Sequence, residues 1–126
     1  MKPTIAIITD DILFSNLFLP LLERKFSELE IHVCSSFQEI DACFEHFEYD
    51  LIIVDGGISN MSCIEVIQYI RMTKKAIAPV WFFPEIITNS YIYKSLTLGA
   101  TKIINKPFDP YLVADEISEL LTKQLS

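Results

Sequence analysis

At 126 residues, about half of them apolar, the chain has the length of one domain, expected to span 1–126, with enough apolar surface for a real core. Its net charge of −7, with only 10 lysines and arginines and none of them clustered, excludes a nucleic-acid surface, which needs a basic patch. No apolar run approaches the ~20 residues of a membrane span, and the opening MKPTIAIITDD meets two acids too soon for a signal peptide, so a cytoplasmic protein without membrane contact is expected.

The elements alternate between short β-branched runs and longer helical periods. TIAIIT (4–9) reads as the first strand. Residues from about Leu13 to Phe26 read as a helix that Pro20 should kink or shorten. Its runs ILF and LFLPLL are unusually apolar and point mostly to core. EIHVCS (30–35) is the second strand. Ser36 and Glu39 then form a capping-box pattern ahead of Ile40, Cys43, Phe44 and Phe47 at helical spacing.

LIIVD (51–55) is the third strand, followed by Gly56 and Gly57. Ser62 and Glu65 repeat the capping box before Ile67 and Ile70. PVWFF (79–83) is the fourth strand. Residues 89–98 are helical and stop at Gly99, a good residue just past a helix end. Tyr91 and Tyr93 are two apart on that helix, so one is expected in the core and the other outside. TKIIN (101–105) is the fifth strand. The last helix opens with Asp109 as N-cap and Pro110 at its first position. The three cysteines, Cys34, Cys43 and Cys63, have no CxxC spacing and read as reduced core thiols; His32 and His46 lack the neighbours of a zinc site.

Five strands alternating with five helices predict a parallel sheet covered on both faces, the doubly wound, flavodoxin-like α/β class with strand order 2-1-3-4-5. Ligands in such sheets bind beyond the carboxyl ends of the strands. There the sequence places Asp10 and Asp11 after strand one, Asp55 at the end of strand three, and Asn105 and Lys106 at the end of strand five. With strands one and three adjacent, the acids converge, and Lys106 lies two strand spacings away, ~10 Å, much of which its stem can cover. Converging carboxylates favour a cation among them, and hard oxygen donors favour Mg²⁺. A cation beside a lysine makes a receptacle for a phosphoryl group, with an aspartate oxygen as nucleophile. Gly56 and Gly57 would let metal or phosphate approach the backbone closely.

In these features the chain resembles the receiver domains of two-component response regulators, with their chemotaxis-regulator-like fold. ITDD matches the acidic pair, and LIIVDGGISNMSCIEVIQYIR matches the phosphoacceptor strand, loop and third helix. PVWFF, LGATKIINKPF and the closing helix follow at the family's intervals, so the resemblance covers essentially the whole chain. It implies that Asp55 is the phosphoacceptor and that Lys106 pairs with the phosphoryl group. It implies that Asp11 and Asp55 bind Mg²⁺ directly with the carbonyl of Gly57, that Asp10 contributes through water, and that the Lys106–Pro107 bond is cis. The implied partners are a histidine kinase or phosphotransfer protein and a downstream protein or output domain, none of which lies within these residues. A homodimer through helix four, strand five and helix five is a further expectation. The domain is then a phosphorylated switch and binding module, not an enzyme in its own right.

The match departs from the family at its readout positions. Pro84 and Glu85 stand where a Thr or Ser and a small residue are usual at the end of strand four, and Ile103 where an aromatic is usual on strand five. Ile58 and Ser59 replace the usual MP, and Ser62 and Cys63 the usual DG. These departures support an alternative, a phosphorylation-independent pseudo-receiver that works as an interaction module. A flavin- or nucleotide-binding enzyme on the same kind of sheet is disfavoured, because TDDILFSN after strand one puts two acids where a phosphate-cradling loop needs glycine.

Overall fold

The computed structural model describes residues 2–85 and 87–125. Its elements alternate strictly: β1 (Thr4–Ile8), α1 (Ile12–Glu23), β2 (Glu30–Cys34), α2 (Phe37–His46), β3 (Leu51–Asp55), α3 (Cys63–Gln68), β4 (Val80–Phe83), α4 (Asn89–Leu98), β5 (Lys102–Ile103) and α5 (Pro110–Leu125). A single π-helical turn, Tyr69–Thr73, extends α3. The strands form one parallel sheet in the order β2-β1-β3-β4-β5, as the alternation predicts.

Because side chains alternate across a strand, each strand feeds two cores. Ile5, Ile7, Leu51, Ile53, Trp81 and Phe83 face α1 and α5 and pack on Phe14, Phe18, Leu22, Ala114 and Ile117. Ala6, Ile8, Ile52, Val54, Val80 and Phe82 face the other helices and pack on Ile40, Val66, Ile67 and Ile70. The first core is rich in rings. Phe14 meets Phe18 at 5.2 Å and Phe83 at 5.0 Å edge to face, Phe18 stacks on Phe108 at 5.8 Å, and Phe83 lies 4.9 Å from Phe108.

The helix starts follow the sequence signals. Ser36 and Ser62 accept from the backbone of Glu39 and Glu65, and the Ser62–Glu65 capping box is reciprocal. Asp109 accepts from Tyr111 N and caps α5. Gly99 ends α4 at φ 126°, and a Cβ there would come within 2.7 Å of the Arg71 side chain. That guanidinium donates to the carbonyls of Gly99 (2.9 and 3.1 Å) and Ala76 (2.8 Å), tying the π-helical turn to the α4–β5 corner.

Some expectations shift. α1 continues through Pro20 and ends at Glu23, three residues short of Phe26. Asn16 and Pro20 are both exposed, so the Asn16 carbonyl that the proline leaves without a donor can turn to water. Phe14, Phe18 and Leu22 of α1 are core as expected, but Ile12, Leu13 and Leu17 are exposed. The fifth strand is two residues long, shorter than 101–105, because the chain leaves the sheet after Ile104 to carry Lys106 towards β3. Tyr91 packs on the core and Tyr93 is 73% exposed, the expected division. The three cysteines are free thiols, Cys34 and Cys63 buried and Cys43 half-buried.

Candidate functional site

The carboxyl edge of the sheet gathers its polar groups around Asp55. This residue closes β3 in register with Phe83 of β4 and is only 5% exposed. Water therefore cannot solvate its carboxylate fully, and the protein must supply donors. Lys106 supplies one: its ammonium pairs with Asp55 Oδ1 while its stem crosses the Phe14 ring, with Nζ 5.2 Å from the ring centroid. Thr9 supplies the other, its hydroxyl donating to Asp55 Oδ2 at 2.8 Å. Asp55 and Lys106, 51 residues apart in sequence, meet as expected, and the Lys106–Pro107 bond is cis as the resemblance implies.

Thr9 is the contact that the sequence reading missed. It follows Ile8, which pairs with Val54, so parallel register sets Thr9 beside Asp55. A hydroxyl residue at the last position of the first strand, one step before the acid pair, was the available signal.

The acid pair itself divides. Asp11 caps α1, its Oδ1 accepting from Leu13 N at 3.0 Å, and its own N–H donates to Thr9 Oγ1 at 3.0 Å. Asp10 is exposed. Among the described residues no three His, Cys, Asp or Glu side chains stand close enough to hold a metal as placed. The donor chemistry still fits Mg²⁺, since Asp10, Asp11 and Asp55 offer hard oxygens at the ends of two adjacent strands. The Leu13 amide occupies Asp11 Oδ1, which leaves Oδ2 for a metal.

The loop after Asp55 is built for close approach. Gly56 has φ 57°, and its N–H reaches Phe83 O at 3.0 Å. Ile58 and Met61 exchange backbone hydrogen bonds around a tight turn, and a Cβ on Gly57 would stand 2.7 Å from Met61 O. The space above Gly56 is taken by Glu85: a Cβ there would lie 2.5 Å from Glu85 Oε1. The acid at the end of β4 thus rests on the residue next to Asp55. Its charge is felt further along the same rim, where Tyr91 OH contacts Cys63 Sγ. Burial raises the pKa of both groups above their ordinary values, and the negative charge of Glu85 adds to each. Pro84, before it, is buried and carries no hydroxyl.

Chemically, the edge offers a desolvated carboxylate fixed by an ammonium and a hydroxyl, with further acids beside it. Comparison with known proteins agrees with the architecture. A domain from a Clostridium difficile two-component response regulator superposes with a TM-score of 0.85 at 20% identity, over 98% of this chain and 99% of that one. A CheY-like receiver domain protein from Methanospirillum hungatei JF-1 gives 0.82 at 22% identity, over 98% and 97%. The signal receiver domain of a DNA-binding response regulator from Colwellia psychrerythraea 34H gives 0.82 at 21% identity, over 95% and 98%. At these identities the likeness is one of fold. A search of curated proteins found no match. The family model for the response regulator receiver domain matches residues 5–118, nearly the whole chain and every element of the site, and the chain therefore belongs to the response regulator receiver domain family.

Proposed function

We propose that this receiver domain, read as a single domain over 1–126, takes a phosphoryl group on Asp55 from a histidine kinase or phosphotransfer protein and signals through protein contacts in the cytoplasm. One observation carries the reading: a carboxylate only 5% exposed, at the end of the central strand, is paired with a lysine delivered from β5. An Asp55 oxygen attacks phosphorus, and the bond from phosphorus to the donor's imidazole nitrogen breaks. The electron pair stays on that nitrogen and an acyl phosphate remains. Lys106 then stands beside the phosphoryl oxygens. The residues that would hold Mg²⁺ are Asp10, Asp11, Asp55 and the Gly57 carbonyl; when bound, the ion neutralises phosphoryl charge. The domain is a phosphorylated signalling module more than an enzyme. Pairing of two copies through α4, β5 and α5 is compatible with the exposed Tyr93 and Leu96 on α4, and sedimentation with and without beryllofluoride tests it.

The test is intact mass after incubation with acetyl phosphate and Mg²⁺. The wild type should gain one phosphoryl group and Asp55→Asn none. Equal labelling of the two would place the acceptor elsewhere.

A second reading is supported by Glu85. Its carboxylate rests on Gly56, close to where a phosphoryl group on Asp55 would stand, and Pro84 offers no hydroxyl to couple phosphate to α4. On that reading the domain is a pseudo-receiver whose partner binds whatever the state of Asp55. A wild type that neither acetyl phosphate nor a phosphohistidine donor labels would favour it.

A further inference from the structure

We propose that Thr9 is a positioning residue for the phosphoacceptor, its hydroxyl holding Asp55 Oδ2 so that Oδ1, the oxygen on Lys106, is the one presented to phosphorus. The proposal rests on the reading of Asp55 as acceptor.

The geometry leaves the hydroxyl one arrangement. A carboxylate oxygen only accepts, so the single proton of Thr9 Oγ1 points to Asp55 Oδ2, 2.8 Å away. The oxygen's lone pairs receive the Asp11 N–H at 3.0 Å. Thr9 is 1% exposed, which leaves little room for solvent to offer another partner. Its branched Cβ restricts rotation as well. The result is a fixed relay from the head of α1 through Thr9 to the acceptor.

The two carboxylate oxygens are therefore unequal. Oδ2 is turned to β1 and held by a buried hydroxyl. Oδ1 faces Lys106, whose side chain is 37% exposed and borders a groove of about 450 Å³ that opens to solvent. A donor enters from that side. As Oδ1 bonds to phosphorus and the donor's bond breaks, the carboxylate charge passes to the phosphoryl group. Oδ2 becomes the carbonyl oxygen of the acyl phosphate and keeps the Thr9 hydrogen bond. In hydrolysis water attacks phosphorus, the P–Oδ1 bond breaks, and the pair returns to a carboxylate whose Oδ2 again leans on Thr9. A donor fixed on Oδ2 assists both directions, by holding the nucleophile in place and by stabilising the leaving carboxylate. Pro84, on the β4 side, supplies no such group.

The experiment compares Thr9→Val, which keeps the shape, with Thr9→Ser, which keeps the hydroxyl. Initial rates with acetyl phosphate and Mg²⁺ are followed by intact mass, then decay after the donor is removed. Thr9→Val should slow decay by about tenfold, the worth of a hydrogen bond to the charged carboxylate that reforms there, and slow formation by less, because formation loses only the positioning; Thr9→Ser should change either by no more than about threefold. The Asp11 amide resonance should shift and exchange faster in Thr9→Val only, a readout independent of phosphorylation. Thr9→Val as fast as wild type, or Thr9→Ser slower than Thr9→Val, would show that Thr9 fills space and would overturn the proposal alone. A wild type that takes no phosphoryl group overturns the Asp55 reading and this proposal with it.

Discussion

Replacing Glu85 by glutamine should make Asp55 easier to phosphorylate. Glu85 Oε1 stands 2.5 Å from where a Cβ on Gly56 would be, and Gly56 directly follows Asp55. A phosphoryl group on Asp55 and that carboxylate would then share one rim, and a separation of roughly 6 Å serves as the working value. At that distance two unit charges repel by about 3 kcal/mol at an effective dielectric near 20. Glu85 is exposed, so screening and rotation into water reduce this to about 1 kcal/mol, or roughly fivefold in rate or equilibrium. The assay is the phosphorylated fraction against time with acetyl phosphate, at low salt and at 0.5 M salt (about one-half molar, where the screening length falls to a few ångströms). Glu85→Gln should exceed wild type by about fivefold at low salt, and the gap should narrow at high salt. Equal rates at both salts would mean that the carboxylate turns away at no cost, and the electrostatic argument would fail.

Three further outcomes follow from the geometry. Asp11→Asn should weaken Mg²⁺ binding, followed by amide shifts, while leaving thermal stability nearly unchanged, because asparagine caps a helix as well as aspartate does. Arg71→Ala removes three hydrogen bonds to two carbonyls and should cost about 2 kcal/mol, seen as a Tm lower by roughly 6 °C or more; an unchanged Tm would refute the clamp. Asp41 is held below its ordinary pKa by hydrogen bonds from Lys74 and Tyr69, and Glu65 by those from Ser62. Groups depressed on folding stabilise above the ordinary carboxylate range and lose that contribution as pH falls through their folded pKa. Thermal unfolding from neutral to acid pH should therefore show stability dropping in acid, and Asp41→Asn with Glu65→Gln should flatten the drop.

Much of the fold was legible because each local signal agreed with its neighbours. Ser36, Ser62, Asp109 and Gly99 mark helix ends where the backbone has them, and the apolar strands lack alternation because both faces are covered. The Asp55–Lys106 pair was legible from its place at two strand ends. Contacts that depend on side-chain register were not. Thr9, just past the end of β1, shows its contact with Asp55 only once β1 is laid beside β3. Asp11 illustrates a different limit: a carboxylate before a helix suits a cap and a metal ligand equally, and here it caps. On α1, composition could not separate Phe14 and Phe18, which enter the core, from Ile12 and Leu13, which are exposed.

The ring-rich packing beneath α1 and α5 gives the two halves of the molecule different mechanical character. Phe14, Phe18, Phe83 and Phe108 interlock, and Phe83 is the residue paired with Asp55. Large flat rings in edge and stacked contact have few alternative arrangements at the same density. The buried part of the opposite side is mostly Ile, Val, Ala and Cys, with Phe82 its one fully buried ring among the described residues and Phe44, Tyr49, Tyr69 and Tyr91 packed at its margin, so fewer rings interlock there. A disturbance at Asp55 therefore meets a stiff wall on one side and a compliant one on the other. A shift of Asp55 should be taken up more readily towards α3 and α4 than towards the interlocked rings under α1 and α5.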